Sequence, residues 1–107
     1  RGLKHEFFKV ILLDGKNRII RDATISEGNL TASIVHPREA FNPAIRDSAG
    51  AVVFIHNHPS GDSTPSREDH QLTKRLVACG ELLGIKVLDH LVVGDGRYYS
   101  FADQGCL

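Results

Sequence analysis

The sequence has no excess of either charge: 13 Lys and Arg balance 13 Asp and Glu over 107 residues. A domain that grips duplex DNA normally carries a basic face, so this balance argues against a nucleic-acid partner. The balance leaves room for a local patch, for which Lys74, Arg75 and Lys86 are candidates. Cysteine is equally scarce. Two residues, Cys79 and Cys106, make no disulfide framework, and Cys79 among Leu76, Val77 and Leu82 reads as a small buried apolar side chain. An apolar run of membrane length and a signal peptide are both missing from the sequence, which makes a reducing cytoplasm the expected compartment and a membrane an unexpected partner. The chain opens Arg-Gly-Leu without Met, and we expect a C-terminal piece of something longer. A 41% hydrophobic content suits one modest core in one domain, residues 1–107.

What is present reads as alternating strands and helices. FFKVILLD, from Phe7, is β-branched and aromatic and ends at Asp14-Gly15, a hairpin signal; NRIIRDATIS follows as its antiparallel partner. Glu27-Gly28-Asn29 breaks that strand, and Thr31 to His36 looks extended. Pro37 opens a helix over roughly His36 to Asp47, with Glu39 in its first turn and Pro43 forcing a kink or an early stop. Ala51 to Ile55 is a continuous apolar run and predicts a central strand buried on both faces. Ser66 starts a helix to about Leu83, closed by Gly84, with Leu72, Leu76 and Leu83 facing the core. IKVLD, HLVVGD and RYYSF predict three short strands, the last two joined at Asp95-Gly96. The pattern implies an α/β domain, a mixed sheet flanked by helices.

The chemistry concentrates in HNHPSGDSTPSRED, His56 to Asp69. His56 ends the buried strand and His58 lies two residues on. In an extended chain such residues point to one side, so both imidazoles can face one point at the strand end. Asp69 falls at the N-terminal end of the helix's core-facing side, where a carboxylate is costly to bury unless a cation or hydrogen bonds meet it. Two His and one Asp with water in the fourth position is the ligand set of a catalytic rather than a structural Zn²⁺. The plainer reading is that Ser66-Arg67-Glu68-Asp69 is only a helix N-terminus, Ser66 as N-cap and Asp69 at N3. Both readings can hold together, since Ser66 can cap the helix and still offer its hydroxyl to a bound water.

His56-x-His58, seven residues, Ser66, two residues, Asp69 is similar to the H-x-H-x(7)-S-x(2)-D pattern of the JAMM (MPN+) metalloproteases. Around it, HPRE (from His36), HNHPSGD (from His56), LDHLVVGDG (from Leu88) and YYSF (from Tyr98) resemble the bacterial RadC family, the UPF0758 group, over nearly the whole chain. That resemblance implies the JAMM, cytidine-deaminase-like α/β fold, a single domain of three-layer type. It implies one Zn²⁺ per chain, an N-terminal helix-hairpin-helix region in the full-length protein, and hydrolysis of a peptide or isopeptide amide in an unidentified peptide or protein substrate. Asn42-Pro43 departs from the family, which usually has good helix formers there.

JAMM enzymes use a glutamate upstream of the H-x-H strand as general base. Glu6, Glu27 and Glu39 are the candidates, and the resemblance favours Glu6, immediately before the first strand, with Glu39 as runner-up and better explained by the helix dipole. Ser66 is the second candidate catalytic residue, as a donor to the water or the developing oxyanion. His90 is expected to be a satisfied structural histidine or a partner behind the ligands. His70 should point away from Asp69, His5 and His36 should lie on the surface, and Asp62 should shape its turn. Two further functions compete with the hydrolase: a nucleic-acid role, from the family's DNA-repair label, and an interaction domain that keeps the site without turnover. The strand-rich segment ending LVVGDGRYYSF leaves an edge open to homodimerisation.

Overall fold

A computed structural model describes residues 5–28 and 35–107. The elements follow in the order β1 (Phe7–Leu13), β2 (Ile19–Glu27), α1 (Pro37–Ala40), α2 (Asn42–Arg46), β3 (Ala51–Asn57), α3 (Arg67–Leu83), β4 (Lys86–Val93) and β5 (Tyr98–Ser100). The strands form one mixed sheet in the order β2-β1-β3-β4-β5. Among the described residues only β3 and β4 run parallel, and the crossover between them carries α3. Among the described residues no helix is long and apolar enough to cross a membrane. Of the stretch expected to be extended before His36, residues 31–34 lie outside the described residues; His36 itself is extended, with φ −102° and ψ 136°.

Strand alternation divides the sheet into two unlike faces. Phe8, Val10 and Leu12 of β1 lie across from His56, Phe54 and Val52 of β3, and all six are buried. Ala40, Phe41, Ala44, Leu72 and Leu76 pack onto this face, so all three helices share one core with it. Phe54 sits at the centre, with ring centroids 5.6 Å from both Phe8 and Phe41. Each such ring, fully buried, contributes roughly 1.5–3 kcal/mol from removal of apolar area alone. On the other face Phe7, Lys9, Ile11 and Ile55 are half-buried beside Ile19 and Arg21 of β2 and line an open groove. The expected mixed sheet flanked by helices in one domain is therefore present, and the described residues supply two of its layers. β3 is central as predicted, but its outer residues Val53 and Ile55 keep some exposure.

Three local readings change in the folded chain, and the early stop expected from Pro43 is found. The first hairpin does not turn tightly at Asp14-Gly15. Asp14 accepts hydrogen bonds from Lys16 N (2.8 Å) and Arg18 N (2.9 Å), and the left-handed residue is Asn17, at φ 61°. The Pro37 helix stops at Phe41, and a second short helix restarts with Pro43 in its first turn, where a missing N–H costs nothing. Leu83 does not continue the buried stripe of α3: it is 48% exposed, while Asp69, Leu72, Thr73, Leu76 and Gly80 are buried. IKVLD and HLVVGD are one strand, β4, with an extra residue at Leu88: Val52 pairs with Val87 and Val53 with Asp89. This bulge lets Val87 and His90, three residues apart, both face the core.

Candidate metal centre

The centre lies at the carboxyl ends of the parallel strands β3 and β4. His56 is buried under α3, and His58 continues the ladder beyond β3, its N–H bonding Val93 O at 2.9 Å. The extended chain brings the two rings together as the i, i+2 spacing requires, with centroids 4.9 Å apart and planes at 83°. From α3, Asp69 closes the group. Its Oδ2 is 3.0 Å from His58 Nε2 and its Oδ1 is 3.5 Å from His56 Nδ1. One ligand atom from each of His56, His58 and Asp69 lies within 4.8 Å of the other two.

The first turn of α3 holds Asp69 by a reciprocal cap. Ser66 Oγ accepts from Asp69 N at 3.0 Å, and Asp69 Oδ2 accepts from Ser66 N at 2.8 Å. The cap expected at Ser66 to Asp69 is present, and it leaves the Asp69 carboxylate facing His56 and His58. Ser66 Oγ, used there as an acceptor, keeps its own proton to donate. Asp69 is 1% exposed, and burial alone would push its pKa up. The Ser66 backbone N–H and the charges of His56 and His58 outweigh that and hold the carboxyl below its usual range. His56 goes the other way: burial lowers its pKa against the pull of Asp69, which favours the neutral imidazole a metal requires.

The donor set fits a cation. His58 Nδ1 faces the Asp62 carbonyl at 2.9 Å and must carry a proton there, because a carbonyl only accepts. That leaves the Nε2 lone pair directed at a carboxylate, an unfavourable contact unless a second proton or a cation stands between them. His56 Nδ1 is buried without a hydrogen-bond partner and points at the same carboxylate. One positive ion within reach of all three groups would satisfy both nitrogens and the buried Asp69.

A second layer supports the three side chains. Asp62 shapes its turn as expected, accepting from Thr64 N at 2.9 Å, but its carbonyl also fixes the His58 ring. His90, fully buried on β4, lies outside the cluster. Its Nδ1 is 2.6 Å from Thr73 Oγ1, which donates to Asp69 O at 2.8 Å, so β4 grips the carbonyl of Asp69 through Thr73. The His90 ring stacks on Phe101 at 4.9 Å, and burial together with the nearby His56 pushes its pKa down to about 3. The turn at Gly61 packs against Gly94, whose Cα leaves no room for a Cβ: one there would sit 2.3 Å from Gly61 O.

The remaining candidates fall outside the three-residue group. Glu6 is half-buried immediately before β1. Glu27 pairs with the exposed His5 at 3.1 Å, Glu39 is exposed in the first turn of α1, and His36 is exposed at that helix's start. His70 is exposed and turns toward Phe101, with centroids 5.0 Å apart. Sequence reasoning missed Asn57. It is 2% exposed, and its side-chain amide bonds Phe7 N at 2.7 Å and His5 O at 3.0 Å. Its partners are some fifty residues away in sequence, and nothing near Asn57 signals them.

The similarities to known proteins agree with this construction. A UPF0758 protein of Trichlorobacter lovleyi is 63% identical over 107 residues, which is 100% of this chain and 46% of that relative. The UPF0758 protein of Geobacter sulfurreducens is 57% identical, covering all of this chain and 47% of the relative. That of Clostridioides difficile is 53% identical over 104 residues, 97% of this chain and 44% of the relative. The chain thus spans about half the length of these curated relatives. The family model described as the RadC-like JAB domain matches residues 1–106. With a mixed sheet, a His-His-Asp cluster at its carboxyl edge and that match along nearly its full length, the chain belongs to the RadC-like JAB domain family.

Proposed function

We propose that this domain is a zinc-dependent hydrolase of the JAMM type that cleaves a peptide or isopeptide amide. The observation that carries the reading is the convergence of His56, His58 and Asp69, with His56 Nδ1 buried and without a hydrogen-bond partner beside the Asp69 carboxylate. Two neutral imidazoles and one carboxylate suit Zn²⁺ and leave a fourth position open, as a catalytic rather than a closed structural site needs. Zn²⁺ in such a site supplies Lewis acidity, polarising the scissile carbonyl and bringing the pKa of water to about 7.

The chain's own residues supply the rest. Glu6 is the general base. Phe8 lies across from His56 on the helix-covered face, and strand alternation carried back two residues from Phe8 puts Glu6 on that same side. Its carboxylate takes a proton from the attacking water and returns it to the leaving amine, so one water and one amide give one acid and one amine. Ser66 donates its hydroxyl proton to the oxygen on which charge develops, a contact worth roughly 10²–10³ in rate. The zero net charge favours a peptide or protein substrate over nucleic acid.

The test has two parts. Protein purified without chelator should hold about one zinc per chain by elemental analysis, as one three-ligand site predicts. Zinc missing even after reconstitution would remove the metal site. Glu6→Gln should retain zinc and lose amide hydrolysis; unchanged hydrolysis would move the base to another residue.

A further inference from the structure

We propose that Asn57 is a positioning residue whose side-chain amide clips the backbone on both sides of Glu6 and so aims the Glu6 carboxylate at the His56–His58–Asp69 cluster. The inference rests on Glu6 being the base. Asn57 Oδ1 accepts from Phe7 N, and Asn57 Nδ2 donates to His5 O. Those two groups flank Glu6 in the chain. The carbonyl of Glu6 itself is held from the other side, accepting from Gly28 N at 2.9 Å. Three hydrogen bonds therefore fix the main chain around a residue that stands before the first strand and has no regular secondary structure of its own.

The clip also ties the base to the ligands. Asn57 is the residue between His56 and His58, and it is buried at 2% exposure. Any displacement of the ligand strand carries the Glu6 segment with it. A base displaced by about 1 Å from its reacting partner can lose about 10² in rate, so this rigidity matters for a proton transfer. Asn suits the place because it offers one acceptor and one donor at a single site. Serine is too short to span the two groups, and aspartate lacks the donor.

The experiment uses zinc alone as probe, with glutamate ¹³C-labelled at the carboxyl carbon and the Glu6 resonance assigned by its loss in Glu6→Gln. In the wild type, zinc should move the Glu6 signal. In Asn57→Ala, zinc should bind with unchanged stoichiometry. The Phe7 amide should exchange roughly tenfold faster, the effect of losing a hydrogen bond of ordinary strength. The response of Glu6 to zinc should disappear. Asn57→Asp, which keeps the acceptor for Phe7 N–H, should exchange at an intermediate rate. In hydrolysis assays Asn57→Ala should lower kcat and leave KM unchanged.

Unchanged Phe7 exchange in Asn57→Ala would overturn the clip. Faster exchange with an unaltered Glu6 response would reduce Asn57 to a strand-end filler and overturn its positioning role. Loss of zinc from Asn57→Ala would make it a support of the ligands instead, also against the proposal. A wild-type Glu6 signal indifferent to bound zinc would overturn the base assignment and with it this role of Asn57. The zinc site would then still stand, because the two failures read out separately.

Discussion

Replacing Gly94 by alanine tests how the loop between His58 and Asp69 is held. Gly94 follows β4 where the main chain passes the Gly61 turn, and an added Cβ would lie 2.3 Å from Gly61 O, 2.8 Å from Gly61 C and 2.9 Å from Ser63 N. Backbone atoms cannot rotate away as a side chain can, and C···O contacts normally begin near about 3.3 Å, so the segments must part by about 1 Å. The Asp95 N to Gly61 O hydrogen bond, 2.7 Å, lies across the same gap. Overpacking costs typically about 1–3 kcal/mol and the weakened hydrogen bond up to about 1 kcal/mol more. The stiffer unfolded chain returns about 0.4–1 kcal/mol. A net loss of roughly 1–3 kcal/mol is expected, measured by urea unfolding in chelator. Zinc binding should also suffer, because Asp62, next to Gly61, holds His58 Nδ1 through its carbonyl. Disturbing a ligand's outer partner typically costs about 10–100-fold in metal affinity, measured by competition with a chromophoric chelator. Gly15→Ala is the control, since nothing lies within 4 Å of its added Cβ. A Gly94→Ala protein with wild-type urea midpoint and wild-type zinc affinity would refute the reasoning.

Two further outcomes follow from the cap and from the buried histidine. Ser66→Ala removes the acceptor for Asp69 N but keeps the Ser66 N–H to Asp69 bond. It should cost about 0.5–2 kcal/mol in urea unfolding and retain zinc. As an oxyanion donor, Ser66 should also be worth about 10²–10³ in turnover; a stability loss with normal turnover would leave Ser66 a cap alone. His90 is neutral in the fold down to a pKa of about 3, against 6.5 when free. Its neutral burial is without penalty above pH about 6.5. As pH falls from there toward 3, the unfolded chain takes up the proton first and stability drops by about 1.4 kcal/mol per pH unit. Zinc-free wild type should therefore lose roughly 2 kcal/mol more than zinc-free His90→Gln between pH 7 and 5, and equal slopes would contradict the buried neutral ring.

The fold was legible in the sequence where one local rule acts alone. The partner strand read from NRIIRDATIS, the apolar run at Ala51 and the capped helix from Ser66 follow directly from composition and punctuation. The His-His-Asp cluster was legible for the same reason: strand periodicity aligns His56 with His58, and the cap fixes Asp69. β4 was not, because the bulge at Leu88 breaks the period of two and makes one strand look like two. Leu83 fits the helical stripe by number, but the buried face of α3 ends at Gly80, and Leu82 and Leu83 beyond it are exposed. Asn57 and the His90–Thr73–Asp69 chain depend on side chains meeting across the sheet or between sheet and helix, which no periodicity encodes.

The shared use of Asp69 has a consequence for how the domain can vary. Asp69 Oδ2 caps the helix and faces His58 while Oδ1 faces His56, so the S-x-x-D spacing is imposed by the geometry of a helical turn. Lengthening Asp69 to glutamate would displace both oxygens at once, and sliding the acid one position along α3 would rotate it about 100° off the site. The turn from Pro59 to Pro65 answers to neither demand at most of its positions. Variation that spares the centre should therefore gather at exposed turn residues such as Ser60 and Thr64, and a chain that had lost the ion would still need an acceptor at Asp69 to begin its helix.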